Sequence, residues 1–258
     1  MKRKIYDSLL RWKEESRGHT ALLIEGARRV GKSYIVEQFG RNEYKVCLII
    51  NFGRTPKMVR DLFDNDVHDI PLLLQKLSNL TSTRFVERDT LIVFDEVQKC
   101  PKAREAIKFL VEDGRYDYIE TGSLISIHDN VKDIIIPSEE ERIKMFPMDF
   151  EEFCWALGDE VTVPTIRDHF ANRERMGDDV HRAFMETFRK YLIVGGMPMA
   201  VRTYAETGDF VKTEKQKRLI LDLYREDIGK RARGRMRKTS AMFEAIPAEL
   251  SRHDKEFR

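Results

Sequence analysis

The sequence predicts an α/β fold: a parallel sheet flanked by helices, followed by a smaller helical domain. Three observations predict it. Four short apolar runs with β-branched or aromatic residues recur at residues 21–24 (ALLI), 45–51 (KVCLIIN), 91–94 (LIVF) and 116–120 (YDYIE). None shows polar alternation, which is how fully buried parallel strands read. Helical patterns separate them, and strands alternating with helices imply βαβ units with right-handed crossovers. After about residue 148 strand signal gives way to helical patterns alone.

The elements follow in order. Residues 33–39 form a helix that Gly40 is expected to stop. Residues 71–80 are leucine-rich and helical. Residues 101–113 open with Pro101, place Ala103, Ala106, Ile107, Leu110 and Val111 at helical spacing, and end at Gly114. Residues 142–148 (RIKMFPM) suit a fifth strand. Helices are expected over 150–157, 180–194, 213–228 and 241–250. The domain reading is therefore a core over 1–148, a helical domain over 149–229 and, from 230 to 258, a basic connector with the start of a further region.

Composition narrows the function classes. The chain has 258 residues, 41% hydrophobic and 35% charged, against a usual charged share of about 25%. With 15 Phe, 8 Tyr and 2 Trp it can build a core, and 14 Gly plus 8 Pro are few for a turn-dense all-β fold. A formal charge of +2 makes no global case for nucleic acid or membrane. Cys47, Cys100 and Cys154 stand far apart, which suits a reducing cytoplasm better than a disulfide or zinc framework. The N-terminus is charged throughout, unlike a signal peptide, and no run reaches the roughly 18 apolar residues a membrane helix needs. The six histidines form no HExxH pair.

One motif carries chemistry directly. Residues 26–33, Gly26-Ala27-Arg28-Arg29-Val30-Gly31-Lys32-Ser33, fit G-x-x-x-x-G-K-[ST] between an apolar strand and a helix. Glycines at both ends let the backbone wrap so that its N–H groups converge on phosphate oxygens. The next helix offers its unpaired N–H groups and positive dipole end. Lys32 is expected on the β- and γ-phosphates, Ser33 on Mg²⁺, and the nucleotide-binding stretch extends to Tyr34. This makes the predicted fold a P-loop NTPase.

Asp95 and Glu96 follow a buried strand at the sheet edge where α/β ligands bind. Asp95 is expected to hold Mg²⁺ and Glu96 to orient and deprotonate a water. Thr121 and Ser123 end another strand. Each is a candidate for touching the γ-phosphate or that water, and each equally suits a helix cap or a Ser/Thr turn. No Asn-Lys-x-Asp segment is present to read guanine.

With these motifs in this order, the chain resembles the AAA-type ATPases near the Orc and STAND lineages. More closely it is similar to a bacterial and archaeal family of AAA proteins, through LLIEGARRVGKSYIVEQF, TLIVFDEVQKCPKAREAIKFL, YIETGSLI, MFPMDFEEF and YLIVGGMPMAV. The resemblance implies an AAA-type sheet order, a helical lid, ATP with Mg²⁺, ATPase activity, and catalytic or sensor roles for Lys32, Glu96, Thr121 and Ser123. It also implies coupling to a protein partner or self-association, or DNA association of the Orc-like type. Gly196-Met197-Pro198 matches a lid segment near the nucleotide, and equally a turn between helices. Family members continue into a nuclease-like C-terminal domain, so a truncated product is the expectation for a chain ending at Arg258.

An arginine finger is not evident. Arg142 stands near the usual place, but beside Ser138-Glu139-Glu140-Glu141 an ion pair is the expected role. Arg28 and Arg29 either face a partner or are solvated. Lys230, Arg231, Arg233, Arg235, Arg237 and Lys238 form a basic stretch, read as a solvated linker ahead of a nucleic-acid grip because no aromatic residue interleaves.

Overall fold

The computed structural model describes residues 1–123, 139–231 and 236–251, with the backbone alone for residues 123, 230, 231 and 236. Five strands form one parallel sheet: β1 (Ala21–Gly26), β2 (Val46–Asn51), β3 (Thr90–Asp95), β4 (Asp117–Ser123) and β5 (Glu140–Met145), in the order β2-β3-β4-β1-β5. Every residue of β1 and of β3 is buried, as the lack of alternation in their sequences requires. All crossovers between paired strands leave the C-terminal ends of β1, β3 and β4 on one edge. Gly26 lies beside Ser123, and Asp95 lies beside Asn51 on one flank and Thr121 on the other.

Each face of the sheet has its own core. On one face α1 (Ile5–Ser16) and α2 (Lys32–Glu43) pack Leu9, Trp12, Ile35 and Phe39 against Leu22, Ile24, Val93 and Ile119. On the other, α3 (Lys57–Asn65), α4 (Ile70–Thr81) and α5 (Pro101–Asp113) surround an aromatic cluster of Phe52, Phe63, Phe94 and Tyr118. The α5 helix begins at Pro101 and stops at Gly114, whose φ of 70° is left-handed.

Gly40 does not stop α2, which runs on to Glu43. Its glycine serves packing instead. A Cβ there would lie 2.2 Å from Cys47 Sγ, so the missing side chain lets the helix approach β2. Two helices escaped the sequence reading at the N-terminal half, α1 and α3. In α1 the apolar residues Ile5, Leu9 and Trp12 keep helical spacing among charges. The fifth strand starts two residues before its expected place and ends at Met145, ahead of Pro147.

From Phe150 onward the described structure is helical: α6 (Phe150–Ala156), α7 (Thr162–Asn172), α8 (Asp178–Val194), α9 (Pro198–Thr207), α10 (Phe210–Arg231) and α11 (Met236–Leu250). Asp149 caps α6 in a reciprocal box with Glu152. Met148, Phe153, Val194, Ala200, Val201 and Tyr204 form a third, small core at the base of these helices. Arg237 and Lys238 sit exposed in the first turn of α11, in a helix where a linker was expected. Lys230, Arg231, Arg233 and Arg235 have side chains outside the described residues, as does Ser138. No described helix is long and apolar enough to cross a membrane.

Candidate nucleotide-binding site

The loop between β1 and α2 is built from close backbone approaches. A Cβ at Gly26 would lie 2.3 Å from the Met145 carbonyl oxygen, so β5 admits only glycine there. Gly31 has φ 98° and caps α2 without any side-chain hydrogen bond to the helix start. The first-turn N–H groups of α2 therefore lack a side-chain acceptor, and its first turn carries no acid. Arg29 takes φ 69°, a left-handed angle that costs a non-glycine residue about 1–3 kcal/mol and concentrates at ligand sites.

Lys32 folds back onto this loop. Its Nζ donates to the carbonyl oxygens of Gly26 at 3.0 Å and Ala27 at 2.8 Å. Burial pushes the Lys32 ammonium below its ordinary value, while Glu96 and Asp95 pull it upward and Arg28 adds to the fall. A partly desolvated cation beside a helix start without a side-chain acceptor is suited to an anionic ligand.

Asp95 is the centre of the polar edge. Its Oδ1 accepts from Ser33 Oγ at 2.9 Å and from Thr121 Oγ1, and its Oδ2 accepts from Asn51 Nδ2 at 2.6 Å. Three strands and the loop helix thus meet on one carboxylate. Thr121 lies inside β4 with its hydroxyl on Asp95, which removes the cap and turn readings for that residue. Ser123 is the β4 residue paired with Gly26, and its side chain lies outside the described atoms.

Glu96 leaves β3 with φ 59° and ψ 42°, another strained non-glycine position. Gln98 Nε2 donates to the Glu96 carboxylate at 2.8 Å, and Lys99 Nζ lies 3.8 Å away. Its side chain is 39% exposed, open to water.

Several further residues organise the edge. Asn51 closes β2 next to Asp95, and the signal was a polar residue ending the apolar run KVCLIIN. Arg3 is buried, and donates from Nη1 to the Val30 carbonyl at 2.9 Å, from Nη2 to that of Phe146 at 2.7 Å, and from Nε to Glu152 at 3.0 Å. It staples the loop to β5 and α6, and no local pattern marks it. Pro198 starts α9 and comes within 3.7 Å of where a Gly31 Cβ would stand. The Gly196-Met197-Pro198 segment is therefore a turn between α8 and α9 that also abuts the loop. Arg142 pairs with Glu140 at 2.8 Å. Arg28 pairs with Asp227 of α10 while its side chain stays 45% exposed, and Arg29 is exposed.

The donor set fits the groups the motif implies. The Ser33 hydroxyl and Asp95 carboxylate supply adjacent oxygens of the kind Mg²⁺ takes, and the glycine cradle with Lys32 suits phosphate.

A family model described as "AAA domain" matches residues 18–154, and one described as "Domain of unknown function (DUF8612)" matches residues 185–257. Among solved structures the chain is similar to the Walker-type ATPase PABY2304 of Pyrococcus abyssi, at 17% identity over 90% of this chain and 77% of that one, with a TM-score of 0.48. It is similar to AMPPCP-bound DnaA from Aquifex aeolicus at 11% identity, 90% and 68% coverage and a TM-score of 0.45. The ORC1 protein of Aeropyrum pernix, in complex with DNA, follows at 12% identity, 75% and 68% coverage and a TM-score of 0.39. No curated protein matches the chain.

Proposed function

The chain belongs to the AAA domain family, and from that premise we propose that it binds and hydrolyses ATP with Mg²⁺ and passes its nucleotide state to a partner. The observation that carries this reading is the convergence of Ser33, Thr121 and Asn51 on Asp95 beside the Lys32 loop. On this reading Gly26–Tyr34 wraps the phosphates, Lys32 leaves the Gly26 and Ala27 carbonyls for the β- and γ-phosphoryl oxygens, and Ser33 with Asp95 holds the metal. Mg²⁺ supplies positive charge against the phosphoryl oxygens. Asn51 and Thr121 keep the Asp95 carboxylate in place. Glu96 accepts the proton of the attacking water and, being half-exposed, passes it to solvent. Catalysis is positioning plus electrostatics, with little covalent work for the protein. We assign residues 1–148 to the ATPase core, 149–229 to the lid and 230–258 to the connector region.

A nucleotide panel with Mg²⁺, read as melting shift and phosphate release, tests the reading. ATP at 100 times its dissociation constant should stabilise the protein by about 2.7 kcal/mol. Lys32→Ala should lose that shift. Glu96→Gln should keep it and lose hydrolysis by roughly 10²–10⁴. An undiminished shift in Lys32→Ala, or near-normal turnover in Glu96→Gln, removes the corresponding role. A second reading, a nucleotide-controlled switch with negligible turnover, draws support from the contact of α10 with the loop. It predicts the same binding results with no phosphate release in either form.

A further inference from the structure

Helix α10 touches the phosphate loop by two polar contacts from one face. Tyr224 OH donates to the Arg28 carbonyl oxygen at 2.9 Å, and Asp227 forms an ion pair with the Arg28 side chain. Residues three apart on a helix share a face, so both contacts depend on one orientation of α10. The rest of this junction is hollow. A cavity of about 280 Å³ lies between Arg29, Met199 and the α10 residues Gln216, Ile220, Leu223 and Glu226. The helix packs instead on α9 and α11. The Tyr224 hydrogen bond and the Asp227 ion pair tie α10 to the loop beside this cavity.

We infer that Asp227 occupies on Arg28 the place a nucleotide phosphate would take, so that nucleotide binding releases α10 and signals occupancy to the C-terminal helices. This rests on the nucleotide-binding reading above. A guanidinium binds carboxylate and phosphate through the same planar fork of N–H donors, so the two anions compete. Arg28 lies inside the motif, and its charge acts on Lys32, assigned to the phosphoryl oxygens, and feels Glu96, assigned to the attacking water. Tyr224 holds the same residue by its backbone, so displacement of the side chain weakens the tie between α10 and the loop while α10 stays packed on α9 and α11. The signal leaves through the segment matched as a domain of unknown function, which contains all of α10 and α11.

The test uses the full chain with Mg²⁺ and either a non-hydrolysable ATP analogue or ADP, by calorimetric titration. Asp227→Asn removes the competing charge and should tighten the analogue by about two- to five-fold, the range of a part-exposed ion pair, with a smaller effect on ADP. In an Arg28→Ala background the same substitution should change nothing. Tyr224→Phe should tighten binding in the same direction but less. In melting experiments a double-mutant cycle should couple Arg28 to Asp227 without nucleotide and uncouple them at saturating analogue; the nucleotide-free melts also report that each variant folds. Unchanged or weaker analogue binding in Asp227→Asn, a gain that survives in Arg28→Ala, or coupling that persists at saturation overturns the latch. Lys32→Ala is the control for the underlying reading: if it binds the analogue as well as the wild type, the loop is not a phosphate site, and that failure is separate from a failure of the latch.

Discussion

The sheet and the C-terminal helices spend their apolar residues differently. All six residues of β1 and all six of β3 are buried. In α8, seventeen residues long, Val194 alone is fully buried, and Leu192 is 65% exposed. On α10 Leu219 is 56% exposed and Leu221 42%. The sheet is held by dense burial on two faces and so fixes the positions of Gly26, Asp95 and Thr121 to within hydrogen-bond tolerance. The helices are held by one small core and a few polar ties. A close-packed region is stiff and has few alternative arrangements, whereas a region with few buried contacts opens at low cost. The proposed nucleotide site lies on the first kind of structure, and the readout inferred for α10 lies on the second.

Substitutions sharpen this contrast from large effects to small. Arg104 is buried under the sheet between Glu120 at 3.0 Å and Glu140 at 2.8 Å. Arg104→Met leaves buried Glu120 without its ion-pair partner and Glu140 with Arg142 alone, and should cost about 3–5 kcal/mol in denaturant unfolding. A loss below 1 kcal/mol would mean the sheet face is as forgiving as the helices. Gly40→Ala drives a methyl group toward Cys47 Sγ and should cost about 1–3 kcal/mol, part of which Cys47→Ala restores. If the single variant melts with the wild type, α2 is not seated as closely as the geometry says.

The third effect is a slope with pH. Burial first, and Glu140 second, raise Glu120 well above the ordinary carboxyl value of 4.5, against the pull of Arg104. The folded chain therefore holds a proton that the unfolded chain has released. Stability from this group is complete below pH 4.5 and is lost as pH rises toward the raised folded value. Glu120→Gln keeps the hydrogen-bonding shape without titrating, so its melting temperature should fall less than that of the wild type between pH 4.5 and neutrality. Parallel curves would place the titration elsewhere. The smallest effect belongs to the helices: Leu192→Ser should change stability by less than about 0.5 kcal/mol, and a larger loss would reveal burial of that face in solution.

Much of the fold was legible in the sequence because its signals are local. The strands announce themselves as short apolar-rich runs, although β2, at the sheet edge, is only partly buried with Ile49 exposed where a fully buried strand was expected, and α5 is bounded by Pro101 and Gly114, residues whose backbone preferences act on their own positions. Gly40 misled for the opposite reason. A glycine can answer to its own φ or to a neighbour's bulk, and only Cys47, brought in by β2, tells which. α1 was obscured because its charges dilute a stripe that has meaning only against the sheet.

The sequence by itself determined the parallel sheet, the phosphate-loop motif and the position of Asp95 and Glu96 at a strand end, since periodicity and chain angles act within a few residues. Tertiary structure alone decided that Asn51 and Thr121 share the Asp95 carboxylate, that Arg3 holds the Val30 carbonyl from 27 residues away, and that Arg28 meets Asp227 across 199 residues. Those contacts depend on which surfaces the sheet order presses together, and no pattern within a short window of chain encodes that.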